Sequence, residues 1–281
     1  MQYTINVKGQ LVSLAEPQVM GIVNVTPDSF FAGSRVQTAD AIACRVNRIL
    51  DEGGTMIDVG ACSTRPDAVP VDEQEEMERL RFGLDVVRRT LDQRPSAPVG
   101  PVALSVDTFR PDVARMAVEE FGADIINDVG GPSDAAACGQ SPKDMFRMVA
   151  RLRVPYILMS RQPDIRQMLL GFADGVRQLR DMGQKDIVLD PGFGFGKTLE
   201  QNYLIMSELD KLAVMELPLL VGISRKSMIY RLLGTTADDS LNGTTALNTI
   251  ALMKGASILR VHDVREAVEC CQINRRIQNK S

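Results

Sequence analysis

Asp190 stands where the apolar run Ile187-Val-Leu gives way to Pro-Gly-Phe-Gly-Phe-Gly-Lys197, so a carboxylate closes what reads as a buried strand. Gly192, Gly194 and Gly196 allow positive φ and a close backbone approach to a flat ligand, with Phe193 and Phe195 as stacking or wall surfaces. Two readings fit the acid. It accepts hydrogen bonds from such a ligand, or it forms an Asx-turn or a cap for a helix starting near Thr198.

Other residues with chemical capacity stand in the same relation to apolar runs. Asn24-Val-Thr-Pro-Asp-Ser-Phe30 follows Val19–Val23, and Gly60-Ala-Cys-Ser-Thr-Arg-Pro66 follows Met56–Val59. Ser105-Val-Asp107, Asn127-Asp128, Met159-Ser-Arg161, Ser224-Arg-Lys226 and Arg260-Val-His262-Asp263 complete the set. Asp107, Asn127 and Asp190 would each carry a penalty of roughly a few kcal/mol if buried unpaired, and a ligand with a row of ring donors satisfies all three. Lys226 fits a Schiff base, a ligand donor or a surface lysine. His262, the only histidine, fits a packed or capping residue or, between Arg260 and Asp263, an anion contact. Asn24 fits a cap on the turn at Thr26-Pro27 as well as a ligand contact. Ser63-Thr-Arg-Pro66 is either a plain loop or a hydroxyl pair beside a guanidinium, suited to an oxyanion. Tyr156–Met159 reads as core, with Met159 the residue that faces a flat ligand.

Eight runs of strand length must position these groups: Val19–Val23, Met56–Val59, Val102–Val106, Ile125–Ile126, Tyr156–Met159, Ile187–Leu189, Leu219–Ile223 and Ile258–Val261. Helical periodicity separates them, over Ala39–Asp51, Glu73–Leu91, Asp112–Glu120, Lys143–Leu152, Ile165–Met182, Leu199–Leu212, Leu241–Lys254 and Val264–Ile277. Strict alternation predicts parallel pairing and a TIM (β/α)8 barrel, with a doubly wound open sheet as the rival. Tyr3–Val7 and Leu11–Leu14 around Lys8-Gly-Gln predict a short N-terminal hairpin that closes the barrel bottom. In a barrel the polar groups above share one rim, the carboxyl end of the strands, where sites of this fold are built.

The totals agree with one barrel. A length of 281 residues suits a single domain spanning 1–281, and 44% hydrophobic content is ordinary for a soluble protein. The apolar runs fall short of the roughly 18–20 residues that cross a bilayer, and the opening Met1-Gln-Tyr-Thr lacks a signal-peptide core, so cytoplasmic residence without membrane association is expected. Cys44, Cys62, Cys138, Cys270 and Cys271 show no metal-ligand spacing, and their odd number argues against a disulfide framework. A net charge of −4 with scattered basic residues gives no stripe for nucleic acid.

Taken in order, Gly21-Ile-Val-Asn-Val-Thr-Pro-Asp-Ser-Phe30, Ser63-Thr-Arg-Pro66, Ser105-Val-Asp-Thr108, Ile126-Asn-Asp-Val129, Asp190-Pro-Gly-Phe-Gly-Phe-Gly-Lys197, Ser224-Arg-Lys226 and Arg260-Val-His262 resemble the dihydropteroate synthase family, from Val19 to Val268. The resemblance implies condensation of 6-hydroxymethyl-7,8-dihydropterin diphosphate with 4-aminobenzoate in folate biosynthesis, sensitivity to sulfonamides, Mg²⁺ with the diphosphate, and a homodimer through late helices. It implies a pterin pocket of Asp107, Asn127, Met159, Asp190, Lys226 and Arg260. Aminobenzoate and its loops would involve Phe30, Thr64, Arg65, Pro66, Phe195, Ser224 and Lys226. The diphosphate would meet Asn24, Arg260 and His262, with Asn24 on the metal, and the catalytic set would be Asp107, Lys226, Arg260 and His262. Rupture of the C–O bond to diphosphate ahead of amine attack would need no covalent nucleophile, which removes the Schiff-base role of Lys226.

The chain departs from the family pattern at Phe31-Ala-Gly-Ser34, where Ser-Asp-Gly-Gly is usual, at Ser160-Arg161, where His-Met is frequent, and at Asp67, where glycine is usual. A pterin-dependent methyltransferase would share the barrel and part of the pocket but has no use for Arg260, His262 and Ser63-Thr-Arg65. A non-catalytic pterin-binding paralogue is the other alternative.

Overall fold

The computed structural model describes residues 3–25, 35–62, 71–94, 102–130, 139 and 141–278. All eight runs become strands of one sheet: β3 (Gln18–Asn24), β4 (Met56–Gly60), β5 (Ala103–Asp107), β6 (Ile125–Asp128), β7 (Tyr156–Met159), β8 (Ile187–Asp190), β9 (Leu220–Val221) and β10 (Ile258–Val261). Their order is β8-β7-β6-β5-β4-β3-β10-β9, and each neighbouring pair in that order is parallel. The seam between β8 and β9 is spanned by a parallel bridge of Leu189 to Leu219, with the Leu189 N–H donating to the Pro218 carbonyl at 2.9 Å. That bridge turns a sheet into a barrel and removes the open-sheet rival. β9 is shorter than the run Leu219–Ile223, because β10 pairs only with Leu220 and Val221.

The surrounding helices are α1 (Arg35–Asp51), α2 (Glu73–Asp92), α3 (Pro111–Phe121), α4 (Pro142–Leu152), α5 (Ile165–Asp181), α6 (Leu199–Ser207), α7 (Ser227–Leu233), α8 (Leu241–Met253) and α9 (Val264–Gln278). Local chemistry starts them: Asp72 caps α2 through the Glu75 N–H, Asp164 caps α5 through the Gln167 N–H, and Ser141 and Thr198 form capping boxes on α4 and α6. The segment expected as one helix over Leu199–Leu212 divides at Glu208, whose φ of −110° leaves the helix and passes the chain into a 3₁₀ turn over Leu209–Met215. α7 was not expected; its seven residues are too few for a readable apolar period.

The hairpin, β1 (Thr4–Val7) with β2 (Gln10–Ser13), supplies Ile5, Val7 and Leu14 to the barrel floor. There they meet Met20, Met56, Ala103, Ile125, Ile157, Val188, Leu220 and Ile258, one residue from each barrel strand. This apolar plug seals the amino end of the barrel, so a polar ligand can enter only at the opposite rim.

Candidate active site

Strand register assembles the rim. Asn24 pairs across to Gly60, Gly60 to Asp107 and Asp107 to Asn127, which sets residues of β3 to β6 in one row. Met159 pairs with Asp190 on the far side.

Beneath the rim lies a charged floor that sequence reasoning missed. Asp58, inside β4, has 0% exposure, where an ionised carboxylate survives only if its oxygens are paired. Its Oδ1 accepts from Ser105 Oγ at 2.5 Å, and its Oδ2 accepts from Asn127 Nδ2 at 3.0 Å and from Arg260 Nε at 2.7 Å. Arg260 spans to the rim and donates from Nη2 to Asp107 Oδ2 at 2.8 Å. The signal in the sequence was an acid within the apolar run Met56-Ile-Asp-Val. Burial pushes the Asp107 carboxyl above its ordinary value; Arg260 opposes that shift and Asp58 adds to it.

The Asx-turn reading of Asp190 holds. Its Oδ1 accepts the Gly192 N–H at 2.7 Å as an Asx-turn, and Oδ2 has no hydrogen-bond partner among the described residues. The capping reading fails, because Thr198 caps α6. Gly192 has φ +64°, and a Cβ on it would sit 2.3 Å from the Ser160 carbonyl oxygen, so this turn requires glycine. Lys197, to which no role was given, fastens the β8 loop to the β7 loop by donating Nζ to the carbonyls of Gly192 at 2.8 Å and Ser160 at 3.0 Å. Phe193 is not a ligand wall; it has 0% exposure and packs into the barrel–helix core. Phe195 is the partly exposed aromatic, with Lys226 Nζ 4.3 Å and Arg161 Cζ 5.7 Å from its centroid. Lys226 also donates to the Phe193 carbonyl; burial lowers its pKa to about 8, Asp190 opposes that fall, and the group stays an ammonium at neutral pH.

The ends of β9 and β10 are stitched together. Ser224 Oγ accepts the His262 N–H at 3.1 Å, and Arg225 grips Asp263 with Nε at 2.9 Å and NH2 at 2.8 Å. Arg225 has φ 56°, a left-handed backbone that costs on the order of 1–3 kcal/mol and is maintained by these contacts. Arg45 of α1 holds the same corner by donating to the Ile22 and His262 carbonyls at 3.0 and 2.7 Å. Among these cations His262 is not itself one. Burial first, then Arg260 and Arg45, lower it to about 4, so at neutral pH it offers a neutral imidazole.

Asp107, Asn127, Met159, Asp190, Arg260 and His262 therefore lie on or just past neighbouring strand ends, with Phe195, Ser224 and Lys226 in the loops that follow β8 and β9 and Asn24 exposed at the end of β3. Phe30, Thr64, Arg65 and Pro66, with Ala32 and Asp67, lie outside the described residues.

A family model described as pterin binding enzyme matches residues 20–262. The dihydropteroate synthase of Escherichia coli K12 is 35% identical, covering 95% of this chain and 93% of its own length. The chain belongs to the dihydropteroate synthases. A structure of the Xanthomonas albilineans dihydropteroate synthase with 4-aminobenzoic acid matches with a TM-score of 0.84 at 34% identity, over 100% of both chains. A Yersinia pestis dihydropteroate synthase with a pterine-sulfa conjugate matches with a TM-score of 0.81 at 33% identity, over 99% of this chain and 100% of that one. Membership agrees with the motif order, and the departure at Arg161 now has a place, above the Phe195 ring.

The sole histidine gives a clean check on this electrostatic picture. In the ligand-free protein the imidazole Cε1–H resonance should titrate with a midpoint near 4. A midpoint near the ordinary 6.5 would contradict the burial and cationic surroundings assigned to His262.

Proposed function

We propose that residues 1–281 form one pterin-binding barrel domain, a transferase that condenses 6-hydroxymethyl-7,8-dihydropterin diphosphate with 4-aminobenzoate to 7,8-dihydropteroate and diphosphate. The observation that carries this reading is the mouth itself. Asp107, Asn127 and Asp190 offer acceptors from three strands, while Lys226 and Arg260 supply donors. A pterin edge, with its amine, ring N–H groups and carbonyl, is complementary to that set. Met159 and the Arg260 guanidinium plane lie along the ring.

The reaction separates charge, and each end of that separation has residues for it. As the C–O bond breaks, negative charge grows on the diphosphate, where Arg260 supplies a cation and neutral His262 an N–H donor. The pterin methylene becomes cationic and is stabilised by the nearby carboxylates, with Asp107 the foremost. The aniline then needs only to be held in line, between Phe195, Ser224 and Lys226 and the first two loops that carry Phe30, Thr64, Arg65 and Pro66. No covalent adduct on Lys226 is involved.

Mg²⁺ fits this corner on one condition. Asn24 offers a neutral oxygen, the ligand type magnesium prefers, but Arg45, Arg225 and Arg260 oppose a bare dication. The donor set therefore suits a magnesium that arrives with the diphosphate, where it would offset charge on the leaving oxygens. A cytoplasmic location accords with Cys44, Cys62, Cys270 and Cys271, which are all free thiols. Among the described residues no helix is long and apolar enough to cross a membrane.

A homodimer through the late helices is supported by exposed apolar side chains on α7, α8 and α9: Leu232, Leu233, Ile250, Met253, Ile273 and Ile277. These helices pack in series, and each carries apolar side chains that a partner could cover. Sedimentation should give a dimer that Ile250→Asp with Met253→Asp converts to a monomer; a wild-type monomer at micromolar concentration would refute the interface.

The activity is tested by incubating the protein with both substrates and Mg²⁺. Dihydropteroate and diphosphate should form in equal amounts, and a sulfonamide should compete with 4-aminobenzoate and not with the pterin diphosphate. His262→Ala should lower kcat more than about tenfold while changing affinity for unphosphorylated pterin less than about threefold. Pterin binding without product would instead identify a non-catalytic paralogue.

A further inference from the structure

The Asp58 oxygens are taken up by protein groups, Ser105 on Oδ1 and Asn127 and Arg260 on Oδ2. We infer that Asp58 is a positioning residue that sets the hydrogen-bond polarity of the pterin pocket by forcing the Asn127 amide to turn its oxygen toward the ligand. The inference deepens the pterin reading of the site and rests on it.

An ionised carboxylate accepts and cannot donate, so whatever Asn127 places against Asp58 must be its nitrogen. The contact is Nδ2 to Oδ2 at 3.0 Å, and the reversed amide would set two acceptors against each other at that distance. The consequence appears at the other end of the side chain. Asn127 Oδ1 is buried and has no hydrogen-bond partner among the described residues. A buried acceptor without a protein partner, on the strand end beside Asp107, is complementary to an N–H donor on a ligand, and its amide retains a second Nδ2 hydrogen for an adjacent ring nitrogen. Through Arg260, Asp58 also holds Asp107 in the neighbouring register position, so two adjacent acceptors take their orientation from one buried carboxylate. The pocket then selects a ring edge that carries an amine, and disfavours the same ring with a carbonyl in that place.

Two unphosphorylated ligands read this directly: 6-hydroxymethylpterin, with a 2-amino group, and 6-hydroxymethyl-lumazine, with a 2-oxo group. Calorimetry gives the ratio of their affinities for the wild type, Asp58→Asn and Asp58→Ala. In Asp58→Asn the amide oxygen can keep both Arg260 and Asn127, while the Ser105 hydroxyl rotates to accept from the new NH₂. The pterin preference should therefore stay within about threefold of wild type although the charge is gone. Asp58→Ala removes the acceptor, leaves Asn127 able to turn, and should reduce the preference at least about tenfold. A preference unchanged in Asp58→Ala, with both ligands weakened alike, overturns the inference and leaves the pterin reading intact. Failure of the wild type to bind 6-hydroxymethylpterin overturns the pterin reading beneath it. Should Asp58→Ala not fold, the wild-type Asn127 side-chain amide decides the matter, its NMR signal assigned by loss in Asn127→Asp. Protection from solvent exchange before ligand is added supports the inference; free exchange overturns it.

Discussion

Arg260 lies between two carboxylates from different strands, Asp58 below it and Asp107 at the rim, and the rest of the site depends on that bridge. A guanidinium and a carboxylate removed from water lose several kcal/mol each, and only full pairing restores it. Here the pairing is nearly complete, since Ser105 and Asn127 occupy the remaining lone pairs of Asp58. The bridge therefore ties β4, β5, β6 and β10 together at the level of the ligand. It also fixes a planar cation beneath the position where charge develops in the proposed reaction. Loss of one partner would leave an uncompensated buried charge, so this arrangement tolerates little drift in sequence.

The barrel makes that bridge possible by closing around it. The hairpin plug keeps water from the amino end, and the Leu189–Leu219 bridge closes the seam. What remains open is a rim with a graded chemistry: acceptors on β5, β6 and β8, a lysine beside an aromatic, and a cationic corner where β9 and β10 meet β3. Arg225 and Lys197 bear on the site without belonging to the proposed ligand contacts. One locks a left-handed turn between Ser224 and Lys226, and the other fastens the two loops that carry Met159 and Phe195.

Strand ends were legible in the sequence because a barrel strand is apolar until it reaches the rim, so Asp107, Asn127, Asp190, Lys226 and Arg260 stood out at points of contrast. Asp58 was not, because it lies within an apolar run and its partners are distant in sequence; Arg260 is the 202nd residue after it. Phe193 and Phe195 alternate identically with glycine, and only the path of the loop sends one into the core and leaves the other at the mouth. The protonation state of His262 was not legible for a related reason. Neighbouring arginines suggest anion binding, but the same arginines, with burial, keep the imidazole neutral. α7 escaped notice because its boundary is set by Gly234 in a left-handed C-cap and by packing, with too few residues to show a period.

The central claim is that Asp58 and Arg260 act as one energetic unit. A double-mutant cycle on unfolding free energy, using Asp58→Ala, Arg260→Met and the two combined, measures this most directly. Each single change should destabilise the protein by about 3 kcal/mol or more, and the double variant should be more stable than additivity requires by at least about 2 kcal/mol. Additive losses within about 0.5 kcal/mol would contradict the account and show that the two residues stabilise the barrel independently.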